Sequence, residues 1–313
     1  MVGVWTVAGG RITRLEIFET EDVDAALARF EELRPDPLRI PPNAATRASD
    51  RHQRATQTRD WAALDALCAP TLEFDDRRRA ALTTGGRDMF IASSRLSGGA
   101  GTRTERTVLA TAGDRLALEH VRWIGADDAV PFEAESLSLT EVDADGRIVA
   151  VIGFDPDDRR AASLELVERW IRGEGRWASG VLEFRRALIT RDLERCRAAL
   201  PDDFVFHDHR RIGAGRLETA DAYVAWVGAL FAESPDAIFE PIYDLARAEH
   251  GILSVGHVFG TLAEGGPFEA VSVQILHLDC GRPVAAEVFE LEDLDAAQTR
   301  FEELRADRPP SAG

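Results

Sequence analysis

Cysteine is scarce in this sequence. Its 313 residues hold three cysteines, Cys68, Cys196 and Cys280, with no Cys-x-x-Cys spacing among them. An odd and scattered set implies no disulfide framework, which fits a reducing compartment. Cys68 and Cys196 fall inside apolar helical patterns, and this favours buried structural thiols over redox or nucleophilic ones.

Segments that would direct the chain to a membrane are missing as well. No stretch approaches the ~20 apolar residues that are needed to cross a bilayer. The first ten residues, MVGVWTVAGG, lack a basic region followed by a long apolar run, so they do not resemble a signal peptide. We therefore expect a cytoplasmic protein with no membrane partner.

Positive charge is in the minority. Lys+Arg 37 against Asp+Glu 55 gives a formal net charge of −18. Because a surface this acidic repels phosphate backbones, nucleic acid is not an expected partner. The length predicts about two domains of ~150 residues each, and the hydrophobic fraction of 45% is sufficient for two cores.

An internal repeat determines the organisation of the chain. The segments EIFETEDVDAALARF, IGFDPDDRRAASLEL and EVFELEDLDAAQTRF carry Phe18, Phe154 and Phe289 at the same place, 136 and 135 residues apart. Upstream of this motif only the second and third copies match, as in RATQTRDW at Arg54 and RALITRDL at Arg186. A period of about 135 residues indicates duplicated domains, since solenoid repeats are ~20–50 residues long.

The repeat predicts three segments: a partial unit over 1–40, a full unit over 41–172 and a second full unit over 173–313. Four prolines between 35 and 42 mark the first boundary, and Gly173 to Gly175 mark the second. The partial unit corresponds to the last strands and closing helix of a unit without its front. It is either the remnant of a longer or triplicated ancestor or a hairpin recruited as a packing accessory.

Within the second full unit, helical periodicity comes first and strand patterns follow. Apolar spacing predicts a helix in ASGVLEFRRALIT, and Asp192 of TRD is a candidate N-cap for a second helix. A strand in FVFHDHR, a helix in TADAYVAWVGALF and three further strands follow. The last two strands are joined by DCGR, which is typical of a tight hairpin turn. This order predicts the α+β class.

The passage TRDLERCRAALPDDFVFHD and the hairpin TEVDADGRIVAVIGFD resemble the nuclear-transport-factor-2-like superfamily, which includes SnoaL-like polyketide cyclases and ketosteroid isomerase. The resemblance covers both full units and implies tandem cones, in which a curved antiparallel sheet wraps around helices and encloses a cavity. The superfamily hosts isomerases, cyclases, hydrolases and non-catalytic binding modules. The variants DDRRR and HDHRR also look like domains at the ends of large ATP-binding regulators of actinobacteria.

If successive strand residues alternate between the two faces of the sheet, the side chains inside each cone can be predicted. The apolar line Phe204–Phe206 places Asp208 and Arg210 inward, and the line Leu253–Val255 does the same for His257. The predicted inward set of the second cone is Phe206, Asp208, Arg210, His257, Phe259 and Glu269, and that of the first cone includes Asp76, Arg78 and Glu133.

These residues predict an acid–base site in the second cone. His257 is the expected general base, Asp208 an orienting group or base, Glu269 an acid, and Arg210 an anchor for an anionic oxygen. Phe206, Phe259, Asp76, Arg78 and Glu133 are the other expected substrate-binding residues. The expected ligand is a hydrophobic or carbonyl-bearing small molecule. Plain ion pairs at Asp208–Arg210 and Asp76–Arg78 remain the structural alternative.

A non-catalytic role, in ligand sensing or assembly within a larger ATP-binding regulator, is the alternative function. His207 and His209 are spaced as a metal-chelating pair on a strand. We expect that face to point outward, and the sequence offers no third ligand, so neither a metal nor another cofactor is expected. The two cones are expected to pair with each other within the chain or to form a homodimer.

Overall fold

A computed structural model of the chain describes residues 1–8, 11–33, 38–99, 102–125 and 133–306. It separates Met1–Arg39 from Ile40–Gly313 as two compact units. The first unit is an antiparallel hairpin followed by a helix; these elements are β1 (Val2–Ala8), β2 (Arg11–Phe18) and α1 (Val23–Leu33). The division after Arg39 lies one residue from the boundary expected at 40.

The second unit contains two copies of one arrangement. The first cone consists of α2 (Ala44–Thr58), α3 (Trp61–Leu67), β3 (Cys68–Asp76), β4 (Thr83–Gly86), α4 (Arg87–Gly99), β5 (Arg103–Ala112), β6 (Leu116–Ile124), β7 (Glu133–Val142), β8 (Ile148–Phe154) and α5 (Arg159–Arg172). The second consists of α6 (Ser179–Thr190), α7 (Leu193–Ala198), β9 (Val205–Asp208), β10 (Arg216–Leu217), α8 (Ala220–Glu233), β11 (Ile238–Ala248), β12 (Gly251–Leu262), β13 (Gly266–Asp279), β14 (Arg282–Phe289) and α9 (Leu294–Ala306).

The two sheets have the same topology. Their strand orders are β4-β3-β8-β7-β6-β5 and β10-β9-β14-β13-β12-β11. Neighbours are antiparallel except for β3 with β8 and β9 with β14, which are parallel. The α+β class is therefore confirmed, and the duplication seen in the sequence is a duplication of topology.

The helix cap and the hairpin turn predicted from short sequence motifs are present in the structure. In the repeated TRD, Arg59 and Arg191 end α2 and α6 in the left-handed conformation, and Asp192 accepts a hydrogen bond from Arg195 N as the N-cap of α7. The DCGR turn places Cys280 and Gly281 at φ 47° and 76°. Two successive positive φ values are the signature of a tight hairpin turn that matches strand twist.

Each sheet is covered on both faces. Helices α2, α3 and α4 pack on the inner face of the first sheet through a core that includes Ala48, Leu64 and Phe90. Its outer face packs against α5 through Leu118 and Trp170, and this core is continuous with the interior of the second cone. Helix α9 covers the outer face of the second sheet. The chain thus buries both faces of most central strands.

The two cones contact each other within the chain. Strand β5 lies beside β11. At this junction Arg159 of α5 donates hydrogen bonds to both carboxylate oxygens of Glu240 on β11, at 3.0 and 2.6 Å. The predicted boundary at 172/173 falls between α5 and α6, inside this shared core, and it remains a prediction. Among the described helices, none is long and apolar enough to cross a membrane.

Candidate functional site

Each cone has a cavity between its sheet and its helices, and the cavity of the first cone, which lies between the inner face of the sheet and helices α2 and α4, is the larger of these two. Its volume is about 410 Å³, which falls within the range of small-molecule sites, roughly 300–1,000 Å³. Phe74, Phe90, Val121 and Trp123 supply apolar surface, and polar side chains reach the cavity from α2, β5 and β6. The site therefore combines room for a ligand with a limited set of polar groups.

Helix α2 positions an imidazole in this cavity. Its start is held by Asn43, whose side chain accepts a hydrogen bond from Thr46 N and donates to Gly113 O and Leu116 O of the sheet. Two turns further on, His52 lies on the same helix face as the buried Ala48 and Ser49. The helix thus delivers His52 to the interior from a fixed anchor.

The tautomer and charge of His52 follow from its neighbours. Its Nε2 lies 2.9 Å from the Ser94 hydroxyl, which already donates its proton to Phe90 O. The tautomer that satisfies both hydrogen bonds carries the ring proton on Nε2 and leaves Nδ1 unprotonated. Burial, reinforced by the nearby Arg106, lowers the pKa of His52 to about 4. The imidazole is neutral near pH 7 and has one basic nitrogen.

A buried carboxyl group lies on β6 in the same cavity. Glu119 is 2% exposed, and its Oε1 lies 3.3 Å from Arg106 Nη2 without the geometry of a hydrogen bond. Burial raises the pKa of Glu119 more than Arg106 and Ser49 lower it, so the pKa lies above its usual value. The balance favours the protonated acid more than at an exposed glutamate.

Arg106 itself is only partly satisfied. Its Nη2 donates to Asp50 at 2.6 Å, while Nε and Nη1 are buried and have no hydrogen-bond partner among the described residues. Buried donors of a charged group without partners are costly, so they mark a place where water or a ligand oxygen is expected. The cavity is therefore lined by a neutral imidazole, a carboxyl group with raised pKa and a guanidinium group whose Nε and Nη1 have no hydrogen-bond partner in the part of the chain that the structure describes.

Asp76 and Arg78 line the same cavity, as predicted from β3. Arg78 binds both oxygens of Asp76, at 2.8 and 2.6 Å, and its guanidinium lies 5.3 Å from the centre of the Trp123 ring. The structural alternative of an ion pair is therefore the arrangement observed. Glu133 lies elsewhere: it pairs with Arg122 on the outer face of the sheet and is exposed, so its predicted inward direction is wrong.

The cavity of the second cone is much smaller, about 120 Å³. Phe206 lines it as predicted, and the rings of Tyr223 and Trp226 pack on Phe206 at 5.1 Å. This volume corresponds to about four water molecules at ~30 Å³ each. It lies below the usual range for a ligand site.

The repeat explains why the second interior is filled. The 132-residue offset puts Phe184 at the position of His52. In the strand pairing Arg106 lies opposite Val121, and Pro241 lies opposite Gly256. Since Val121 and Gly256 are equivalent positions of the two cones, Arg106 corresponds to Pro241. Likewise Glu119 corresponds to Ser254. All three polar groups of the first cavity are replaced by smaller or apolar residues.

Asp208 and Arg210 form the counterpart of the Asp76–Arg78 pair. Arg210 donates to both carboxylate oxygens at 2.8 Å, and Ala214 N adds a third hydrogen bond. Although burial acts to raise the pKa of Asp208, the hydrogen bonds from Arg210 and Ala214 bring it below the usual value. Both partners of this pair are already engaged, and Arg210 borders the small cavity.

His257 lies on the opposite face of β12 from the one predicted. Leu253, four residues earlier in an unbroken register, packs against α9 on the outer face. His257 borders the cavity, but its Nδ1 faces Glu240 at the junction of the cones, at 3.6 Å. The predicted inward direction of His257 is therefore wrong.

Phe259 and Glu269 share that outer face, so their predicted inward directions are wrong as well. The Phe259 ring stacks on His257 at 4.6 Å, and the Glu269 side chain is 74% exposed. Glu269 Oε2 lies 3.6 Å from His257 Nε2. The structure therefore brings His257 and Glu269 together, but on the outer face of the sheet and not inside the cone. Ser254, Ser272 and Gln274 line the cavity instead.

The physical reason is that the outer face is the more apolar one. Val271, Val273 and Ile275 of β13 alternate with Ser272 and Gln274. Helix α9 covers Val273 and Ile275, whereas the interior must accommodate polar groups. A strand covered on both faces does not reveal its direction by hydropathy alone.

Three polar residues that line the cavity of the first cone, His52, Arg106 and Glu119, were not among the predicted ones. His52 comes from a helix, and its signal was the spacing of Ala45, Ala48, Ser49 and His52 along one helix face. Arg106 and Glu119 come from β5 and β6. Glu119 lies on one line of β6 with Val121 and Trp123, which also reach the cavity, and this alternation is the signal that could have identified it.

Residues 181–286 match the family model of the SnoaL-like domain. The second cone is thus similar to SnoaL-like domains, and the resemblance predicted from the sequence is confirmed. The first cone repeats the same strand order. No curated protein matches the chain.

Solved structures with similar folds each cover about one cone. An LEH-like epoxide hydrolase of M. tuberculosis is 19% identical over 41% of this chain and 96% of its own, with a TM-score of 0.30. An NTF2-like protein from Burkholderia pseudomallei is 19% identical over 40% and 93%, with a TM-score of 0.31. The epoxide hydrolase/cyclase-like enzyme SalBIII is 10% identical over 35% and 88%, also with a TM-score of 0.31. Such values carry no information about chemistry.

Proposed function

We propose that the chain binds a hydrophobic, carbonyl-bearing small molecule in its first cone and catalyses proton transfer on it without a cofactor. The observation that carries this proposal is the 410 Å³ cavity with His52, Glu119 and Arg106 around it. The site differs from the one expected in the second cone. The three polar groups have no equivalents there, so the chemistry is assigned to residues 41–172.

Each polar group has a distinct role in the proposed reaction. Nδ1 of neutral His52 removes a proton from the carbon next to the carbonyl group. As negative charge develops on the carbonyl oxygen, Nε and Nη1 of Arg106 donate hydrogen bonds to it. Glu119 is the acid that returns a proton, and the rise of its pKa on burial favours the protonated form that this role requires.

The lining of the cavity sets the substrate class. Phe74, Phe90 and Trp123 provide flat apolar surfaces, and Ser136 and Ser138 supply hydroxyl groups along β7. A compact cyclic ketone satisfies both, because its ring packs on the aromatic side chains while its oxygen reaches the guanidinium. Cyclisation and isomerisation of such ketones both begin with the same proton removal.

The test is deuterium incorporation into cyclic ketones of graded size, followed by ¹H NMR in D₂O with the full chain. We expect catalysed exchange that falls by about 100-fold or more in His52→Gln and in Glu119→Gln, in line with the usual contribution of a general acid or base. Glu135→Gln is the matched control, since Glu135 is exposed on the outer face of the same sheet.

Exchange that proceeds equally well in both variants would overturn the catalytic assignment. Binding without exchange would instead favour the alternative of a non-catalytic ligand-sensing module. That alternative draws support from the Glu119–Arg106 and Asp76–Arg78 contacts, in which opposite charges of the cavity lie 3.3 and 2.6 Å apart and balance each other within the protein. The further suggestion of an ATP-binding regulator as parent protein remains a proposal from sequence resemblance.

A further inference from the structure

The outer face of the second sheet carries a cluster that the proposed function does not use. His207, His209 and Glu287 each direct one possible ligand atom to a common point, and these atoms all lie within 4.8 Å of one another. The sequence shows only the two histidines as a pair. The third group comes from β14, which the parallel pairing with β9 brings alongside.

The strands hold this cluster in place. His207 and Glu287 are directly opposite each other in the β9–β14 register. His209 N donates to Val288 O, and the His209 ring stacks on Phe289 with centroids 4.3 Å apart and planes at 13°. Ligands fixed by neighbouring strands lose little entropy on binding, which favours a preformed site.

The two oxygens of Glu287 are in different environments. Oε1 accepts a hydrogen bond from Arg300 of α9 at 2.9 Å and lies 3.0 Å from His277 Nε2. Oε2 faces His209, with Nε2 at 2.7 Å. Metal-binding carboxylates are commonly oriented in this way, one oxygen being held by an outer partner while the other binds the ion.

Exposure and charge are compatible with a cation. His209 is exposed and His207 half-buried, so solvent reaches the cluster, while Glu287 is buried. The Glu287 carboxylate supplies a negative charge to the site, and its Oε2 is on the side away from the bond between Oε1 and Arg300. On the same face Arg216 lies opposite His207, and its guanidinium is directed to Glu218 at 3.3 Å.

We propose that His207, His209 and Glu287 form a zinc site with an open position for water. Imidazole nitrogen and carboxylate oxygen are ordinary zinc ligands, and three protein ligands plus water is the usual composition of an open site. Donor atoms around a tetrahedral ion bound at 2.0–2.1 Å are about 3.3 Å apart. The three ligand atoms lie within 4.8 Å of one another, so the spacing of a tetrahedral site requires approaches of at most about 1.5 Å.

The first cone is an internal comparison. At the positions of His207 and His209 it has Asp75 and Arg77, which bind each other at 2.6 Å. At the position of Glu287 it has Ile152, which is fully buried. An arginine and an isoleucine at two of the three positions exclude the same site there. We therefore expect one zinc ion per chain, held by the second cone.

The test is zinc titration of the chelator-treated full chain by calorimetry, together with cobalt spectroscopy. We expect one Zn²⁺ per chain with Kd of about 10 μM or tighter, and visible Co²⁺ bands of a tetrahedral site. Saturating zinc is expected to raise Tm by about 5 °C, since an ion that binds only the folded state stabilises it. The double change His207→Gln, His209→Gln is expected to weaken zinc binding at least 100-fold.

His120→Gln and His250→Gln are the matched controls, because they remove one histidine each outside the cluster. Both are expected to retain zinc binding. Circular dichroism checks that the double variant is folded. The cobalt spectra are recorded on the unchanged protein, so they test the proposal even if the double variant does not fold. Binding weaker than about 1 mM, or undiminished binding in the double variant, would show an adventitious ion only and overturn the proposal.

Discussion

The protonation of His52 can be tested without knowledge of the substrate. Its pKa of about 4 lies below the ordinary value of 6.5, chiefly because of burial and secondly because of Arg106. The folded state therefore disfavours the imidazolium form. Between pH 6.5 and pH 4 the unfolded chain binds a proton at this residue that the folded chain does not, so folding stability must fall as the pH falls through this window.

The magnitude follows from the two pKa values. Each unit of difference corresponds to 1.36 kcal/mol, so the full effect below pH 4 is at most about 3 kcal/mol. At pH 5 about 2 kcal/mol of it is already present. Since His52 retains some solvent contact, we expect about 1–2 kcal/mol at this pH.

Comparison with His52→Gln isolates this effect from the titration of other groups. Glutamine keeps an amide donor for Ser94 and cannot be protonated. We expect the stability difference between wild type and variant, measured by urea unfolding, to shift by about 1–2 kcal/mol in favour of the variant from pH 7 to pH 5. NMR titration of the His52 ring gives the pKa itself.

Two results would refute this reasoning. One is a stability difference that does not change between the two pH values, and the other is a measured His52 pKa of 6.5 or above. Arg106→Gln separates the two causes. It removes the charge but not the burial, so the pKa of His52 is expected to rise and yet remain below its ordinary value.

Two further predictions concern the second cone. His257→Gln is expected to leave ketone exchange unchanged, because His257 faces the junction of the cones; a loss comparable to that of His52→Gln would return the chemistry to the second cone. Glu240→Gln is expected to cost about 2–3 kcal/mol in urea unfolding, because it leaves the guanidinium of Arg159 without its carboxylate in a largely buried place. Glu269→Gln, an exposed change, serves as its control and is expected to stay within about 0.5 kcal/mol.

Topology was predictable because it depends on signals that repeat. The TRD motif combines a left-handed residue with an aspartate that caps the next helix, and it occurs at Asp60 and Asp192. Strand β11 was missed because Pro241 interrupts its pattern and two of its polar residues are in ion pairs, Glu240 with Arg159 of α5 and Asp244 with Arg247 of the same strand. A strand with charged residues in ion pairs lacks the hydropathy pattern by which strands are recognised.

The direction of the side chains at the candidate site could be predicted only where one face of a strand is accessible to solvent. In and just before β9, Phe204, Phe206 and Asp208 are buried, and the residues between them are half-exposed. This alternation marks one face of the strand as the inner one, so the predicted inward direction of Asp208 is correct. On β12, six consecutive buried residues from Gly251 to Gly256 carry no such alternation. The direction of His257 depends on which helix covers which face, and that is a tertiary property.

The duplication itself explains why two cones of one topology differ in their interiors. The interior of the second cone belongs to the same core as the contact between α5 and the first sheet. Phe184, which replaces His52, packs there against Phe204 and Tyr223. A polar residue at this position would place an unpaired group in the middle of the largest core of the molecule. The first cone, whose inner core is separate, can retain a polar cavity without that cost, so the two demands of stability and ligand binding are met by different copies.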